Sequence, residues 1–220
     1  CFALGLATFI IQGSESVISV CFNASLLKYG GDIAVGAMTI LTSVMQFAML
    51  PMQGIGQGAQ PISSYNFGAG NADRVKKTFK LLLTVCVIYA CVMWGAIMLF
   101  PTAFAGIFTP DPALIAFTAK ALRIYCGALF LFSIQIACQM TFVSTGNAPC
   151  SIIVAVVRKF VLLLPLIYIV PDLVTDKTMG VYLAEPIADV IAVTFTAILF
   201  AVQFRKSLNR LNTNRKEIIR

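Results

Sequence analysis

Three carboxylates stand where a membrane chain can least tolerate idle charge. Glu15, Glu185 and Asp189 each fall inside a long apolar run. An ionisable side chain at such depth reads by default as functional, because holding it in hydrocarbon is costly. Glu15 lies about mid-run, and Gln12, Ser16, Ser19 and Asn23 share its side of a helix by their spacing. That side should face protein or a water-filled cavity. Glu185 and Asp189 are one helical turn apart on a common face, with water access from the outer surface an alternative for Glu185. Two carboxylates so placed suit either a shared proton or a cation held by oxygens. The chain has no histidine, so proton chemistry near neutral pH falls to such carboxylates.

A second set of polar residues consists of amides. Gln46, Gln53 and Gln57 repeat on one side of one helical run, and Gln135 and Gln139 are one turn apart in another. They serve either as helix-to-helix glue or as the lining of a substrate cleft. Arg158 and Lys159 lie deep in a further run and are expected to snorkel to the cytoplasmic surface along their apolar stems. Tyr65, Tyr89, Tyr125, Tyr168 and Tyr182 fall near span ends, where an interfacial aromatic belt accounts for them. Trp94 acquires no role.

Enzyme chemistry finds little support. The seven cysteines form no CxxC pair and sit in or beside apolar runs, so they read as small packing residues. Glycines at 54, 56 and 58, and at 68 and 70, lack the GK[ST] ending and preceding strand of a phosphate loop. No nucleophile elbow or metal-ligand cluster appears, and no cofactor is expected. The chain reads as a non-enzyme.

The elements that must position these residues follow from composition. The chain of 220 residues is 59% hydrophobic and 11% charged, with mean hydropathy +0.90. A soluble domain is about a quarter charged, so this is a polytopic membrane protein whose solvent is the lipid bilayer. The apolar runs are continuous and about 20 residues or longer, which predicts helices rather than barrel strands. The fold class is therefore all-α integral membrane, with six transmembrane helices over about 2–27, 33–64, 79–104, 122–143, 151–170 and 179–204. These form one lobe over 1–204, followed by a basic tail over 205–220.

Within that frame, Tyr29 to Asp32 predicts a tight turn with Asp32 as a helix cap, and Pro51 a kink in the second helix. Asp111-Pro112 predicts a cap and first helical residue. After it comes a short surface piece bearing Lys120 and Arg123, then the fourth helix from about Leu122. Thr145 to Pro149 predicts a turn, Pro165 a kink, and 171–178 a loop.

Of the 16 basic residues, Arg74, Lys76, Lys77 and Lys80 follow the second helix and six more lie in the tail. Lys28 and Lys177 stand on the opposite side, against Asp32, Asp111, Asp172 and Asp176. The positive-inside bias then places both ends in the cytoplasm and accounts for the basic tail without nucleic acid. The chain opens at Cys1 inside an apolar helix, which reads as the second part of a longer protein.

The segment from Gln57 to Lys77 carries the run QGAQPISSYNFGAGNADRVKK. It resembles the end of the second helix in the C-terminal half of multidrug and toxic compound extrusion (MATE) transporters. Gly30-Gly31-Asp32, the Thr145 to Pro149 turn and Pro186-Ile187-Ala188-Asp189 are similar in place and spacing. The resemblance covers essentially the whole chain and implies one lobe of a twelve-helix transporter. Two pseudo-symmetric lobes would then enclose a cleft with alternating access, and an inward gradient of sodium ions or protons would drive cationic or amphipathic small molecules out. It implies a bacterial cytoplasmic (inner) membrane and a missing N-terminal lobe, in the same full-length chain or in a second subunit.

Some members of that family carry an acidic coupling residue in the first helix of the second lobe. Glu15 falls about there, ten residues after Gly5, so the resemblance gives it a coupling role with a transported sodium ion nearby. An acidic partner expected in the fourth helix is replaced by Gln135 and Gln139. Two other readings stand beside the exporter: a lipid-linked oligosaccharide flippase of the same superfamily, and a non-transporting half-transporter remnant. A flippase favours a strongly cationic groove for pyrophosphate, whereas the cleft-side candidates here are glutamines and carboxylates.

Overall fold

In lipid a backbone must satisfy its own hydrogen bonds, and helices are the only regular elements among the described residues. The computed structural model describes the backbone of residues 2–146 and 153–218, and the side chains of 16–146, 153–204, 206 and 207. Helix α1 covers Phe2–Gly68, α2 Ala72–Leu99 and the short α3 Pro101–Gly106. Helix α4, Pro112–Tyr125, joins α5, Leu129–Ser144, through a 3-10 turn at Cys126–Ala128. Helix α6 spans Ile153–Leu173 with a π-helical stretch at Val157–Leu163, and α7 spans Lys177–Ile218.

Among the described residues, five helical segments are long and apolar enough to cross a membrane: α1 from Ser16, α2, α4 with α5, α6, and α7 to Phe204. The first holds 53 residues, which at ~1.5 Å per residue far exceeds a ~30 Å hydrocarbon core. Its one non-helical residue is Gly31, at φ 63° and ψ −159°, a backbone region that essentially only glycine occupies. Six crossings require α1 to cross once on each side of Gly31. The break is held from α7. The Thr178 hydroxyl donates to the Tyr29 carbonyl at 3.1 Å, and the Tyr182 hydroxyl donates to the Ala34 carbonyl at 2.7 Å.

Several predicted boundaries move. Pro51 and Pro61 lie inside α1 and leave its backbone dihedrals helical, since a proline removes only one donor and packed helices tolerate that. Helix α2 starts at Ala72, so the basic residues from Arg74 to Lys80 are helical, and it ends at Leu99 before Pro101. Asp111 caps α4 as expected, accepting from the Ala113 N–H at 2.9 Å. The piece that follows keeps Lys120 and Arg123 exposed as expected, but it runs into the fourth helix without a break at Leu122 and buries Thr118, Ala119 and Ala121. The chain breaks only at the 3-10 turn, where the Trp94 indole N–H donates to the Gly127 carbonyl at 3.2 Å. That contact gives Trp94 its role. Helix α6 continues through Pro171 to Leu173, leaving residues 174–176 as the loop, and α7 continues into the basic tail as far as Ile218. Residues 147–149 of the predicted turn lie outside the described residues.

One apolar core draws on all the long helices. Leu41, Val44 and Met52 of α1 join Ile97 of α2, Leu122 of α4, Leu129 of α5, Ile167 of α6 and Tyr182 of α7. Tyr125 and Tyr182 are therefore core residues and not part of an interfacial belt; Tyr65 and Tyr168 remain exposed. Cys86, Cys126 and Cys138 are buried as free thiols. Most of α2 is left uncovered by the other helices, and Leu81, Ile88, Val92 and Leu99 face outward, which makes it a lipid-facing helix.

Candidate functional site

Helices α6 and α7 bring one arginine against two carboxylates. Glu185 and Asp189 project from neighbouring turns of α7, and Arg158 stands at the start of the π-helical stretch of α6. There the ladder runs in i→i+5 register, with the Leu164 N–H donating to the Lys159 carbonyl. Pro165 follows directly and has no N–H to return. Such π segments recur at functional sites because they re-aim side chains.

The Arg158 Nε donates to Asp189 Oδ1 at 2.9 Å, and its Nη2 reaches the same oxygen at 2.8 Å and Glu185 Oε1 at 3.0 Å. The guanidinium carbon lies 4.4 Å from the Phe132 ring centroid. All three charged residues are buried, Asp189 to 1% exposure. The expectation that Arg158 snorkels to the surface is thus wrong. Two charge-assisted partners and an aromatic face within the lobe offset the cost of leaving water. Glu185 likewise faces the protein interior rather than the outer surface.

Beside this cluster is a cavity of about 600 Å³. Helix α1 contributes Gln46, Met49 and Gln53 to its wall, and α5 contributes Phe132, Gln135 and Gln139. Tyr125, Arg158, Lys159 and Glu185 complete the polar side. The cavity mixes apolar surface with a few convergent amides and charges, the make-up of a small-molecule site. Of the buried side-chain oxygens without a hydrogen-bond partner among the described residues, two belong to this site, Gln135 Oε1 and Asp189 Oδ2.

The structure brings together Gln46, Gln53, Gln135, Gln139 and Glu185 among the residues singled out from sequence. Asp189 joins them through Arg158 but does not line the cavity. Ser19, Asn23 and Gln57 are exposed and do not line it either. The side chains of Gln12 and Glu15 lie outside the described residues. Sequence reasoning missed Arg158. The signal was available: an intramembrane cation calls for a named partner as much as an intramembrane carboxylate does.

The geometry sits on a fold with known relatives. The chain is 23% identical over 220 residues to the multidrug export protein MepA of Staphylococcus haemolyticus, covering 99% of this chain and 46% of that protein. It is 26% identical to the MepA of Staphylococcus saprophyticus, covering 90% and 44%. Among solved structures it resembles the MATE multidrug transporter DinF-BH, with TM-score 0.76 and 34% identity over 90% of this chain and 44% of that one. An inward-facing multidrug resistance MATE family transporter of the MOP superfamily gives TM-score 0.84 at 20% identity, over 95% and 47%. The chain spans about half the length of these relatives. The MatE family model matches residues 7–169. With that match over most of its length, this multi-pass membrane chain belongs to the MatE family.

Proposed function

We propose that this chain is one lobe of a secondary antiporter of the bacterial inner membrane. It exports cationic or amphipathic small molecules in exchange for sodium ions or protons, and the cavity is exposed to either side in turn as two lobes rearrange. The observation that carries the reading is the cavity of about 600 Å³, where amides from α1 and α5 converge beside buried charge. Apolar surface there suits the body of an amphipathic molecule, and the glutamines suit its polar edge without demanding one hydrogen-bond pattern.

Glu185, Asp189 and Glu15 are the carboxylates assigned to the coupling ion, Glu15 on the resemblance and the other two on their burial. A flippase handling pyrophosphate would need a surplus of positive charge on the wall. Here the wall's two cations, Arg158 and Lys159, stand beside two carboxylates, Glu185 on the wall and Asp189 behind Arg158, so there is no surplus of positive charge, which favours the exporter. The test is efflux of the cationic dye rhodamine 6G by the full-length protein in proteoliposomes, under an imposed sodium or proton gradient. Gradient-driven efflux is the expected result; no efflux under either gradient would remove the antiporter reading.

A further inference from the structure

The two carboxylates around Arg158 are not equivalent. Asp189 receives both of its contacts on one oxygen, from Nε and Nη2, at 2.9 and 2.8 Å, and is sealed at 1% exposure. Glu185 receives one contact, from Nη2 at 3.0 Å, and it lines the cavity. If Glu185 lets go, Arg158 keeps both bonds to Asp189 and its place over the Phe132 ring at 4.4 Å. If Asp189 lets go, one bond remains. A cation entering the cavity also meets Glu185 before Asp189, which lies behind the guanidinium.

We infer that Arg158 is a resident counter-ion: Asp189 holds it permanently, and it covers Glu185 until a monocationic cargo displaces it there. The inference rests on the exporter reading and divides the roles within it. Asp189 is thereby withdrawn from the coupling ion and becomes the anchor of Arg158, Glu185 the cargo's ionic partner, and Arg158 the competitor that sets how strongly a cation must bind. The orphaned Gln135 Oε1, buried on the same wall, is a second acceptor for the N–H or ammonium group of such a cargo. Lys159, also on the wall, adds positive charge that the cargo must tolerate. An occupied Glu185 would leave the cargo and Arg158 each with its own carboxylate.

The test measures equilibrium binding of two dyes to the purified full-length protein. Rhodamine 6G is a monocation, and rhodamine B has a closely similar body with an added carboxylate. Glu185→Gln is expected to weaken rhodamine 6G binding by roughly ten- to a hundredfold, the scale of one charge-assisted contact, and to change rhodamine B far less. The double variant Arg158→Gln, Asp189→Asn removes the anchored pair together and leaves Glu185 uncovered, so rhodamine 6G should bind several-fold tighter. Titrating sodium at constant ionic strength separates cargo from coupling ion: competition only in proteins that retain Glu185 means that both use this carboxylate, as the inference allows. Equal losses for both dyes in Glu185→Gln, unchanged rhodamine 6G binding there, or weaker binding in the double variant would overturn it. So would a wild-type protein that does not bind rhodamine 6G. Binding that follows the expected pattern with no gradient-driven efflux would sink the antiporter reading and leave this one standing.

Discussion

Arg158→Gln tests whether the buried cluster holds the lobe together. The substitution removes three contacts to carboxylate oxygens, at 2.8, 2.9 and 3.0 Å. It leaves Glu185 and Asp189, at 7% and 1% exposure, one turn apart with no cation between them. Removing one member of a buried ion pair costs about 3–5 kcal/mol, because the surviving charge stays buried and unpaired. Two surviving carboxylates put the expected loss near the upper end of that range. Thermal unfolding of the detergent-purified full-length protein can be followed with a thiol-reactive fluorophore, since Cys86, Cys126 and Cys138 are free and buried in the native lobe. Adding Glu185→Gln and Asp189→Asn to Arg158→Gln removes all the charge and should restore most of the lost stability. Wild-type melting of Arg158→Gln, or a triple variant no more stable than the single one, would refute the reasoning.

The same assay reads three further sites. Gly31→Ala should destabilise by about 1–3 kcal/mol through backbone strain alone, because φ is +63° and nothing lies within 4 Å of the added Cβ; wild-type melting would mean that the break in α1 is not held there. Tyr182→Phe deletes the 2.7 Å hydrogen bond to the Ala34 carbonyl and should cost about 1 kcal/mol, with no loss if that hydroxyl is idle. Gly180→Ala places a Cβ 2.9 Å from Pro171 Cα, so α6 and α7 must part at a cost of about 1–3 kcal/mol; unchanged melting would show that the two helices are not packed so closely.

Most of the fold was legible because lipid narrows the choices. Runs that are apolar all round can only be helices, and the Asp111-Pro112 pair announced its helix start through capping chemistry that is wholly local. Gly31 was legible as a turn for the same reason, though a single residue suffices where a four-residue turn was expected. Pro51 did not end its helix, which continues to Gly68, because a proline's effect depends on what packs around it, and sequence does not show that. Gln46, Gln53, Gln135 and Gln139 were legible as one polar side per helix, but their convergence on a common cavity depends on how α1 and α5 pack. Arg158 was misread for a related reason. Considered alone, a deep arginine is best placed by snorkelling, whereas its actual position is decided by carboxylates 27 and 31 residues away on another helix. Tyr125 and Tyr182 were misplaced likewise: position along a span suggested an interface, and tertiary packing put them in the core.

The most direct test of the cavity as the cargo site is dye protection of a single engineered cysteine. In the full-length protein with its native cysteines replaced, Gln53→Cys stands on the cavity wall and Thr175→Cys in the exposed loop between α6 and α7. Saturating rhodamine 6G should slow alkylation of Gln53→Cys and leave Thr175→Cys unchanged. A dye that still binds but leaves Gln53→Cys fully reactive would place the cargo elsewhere and contradict the account.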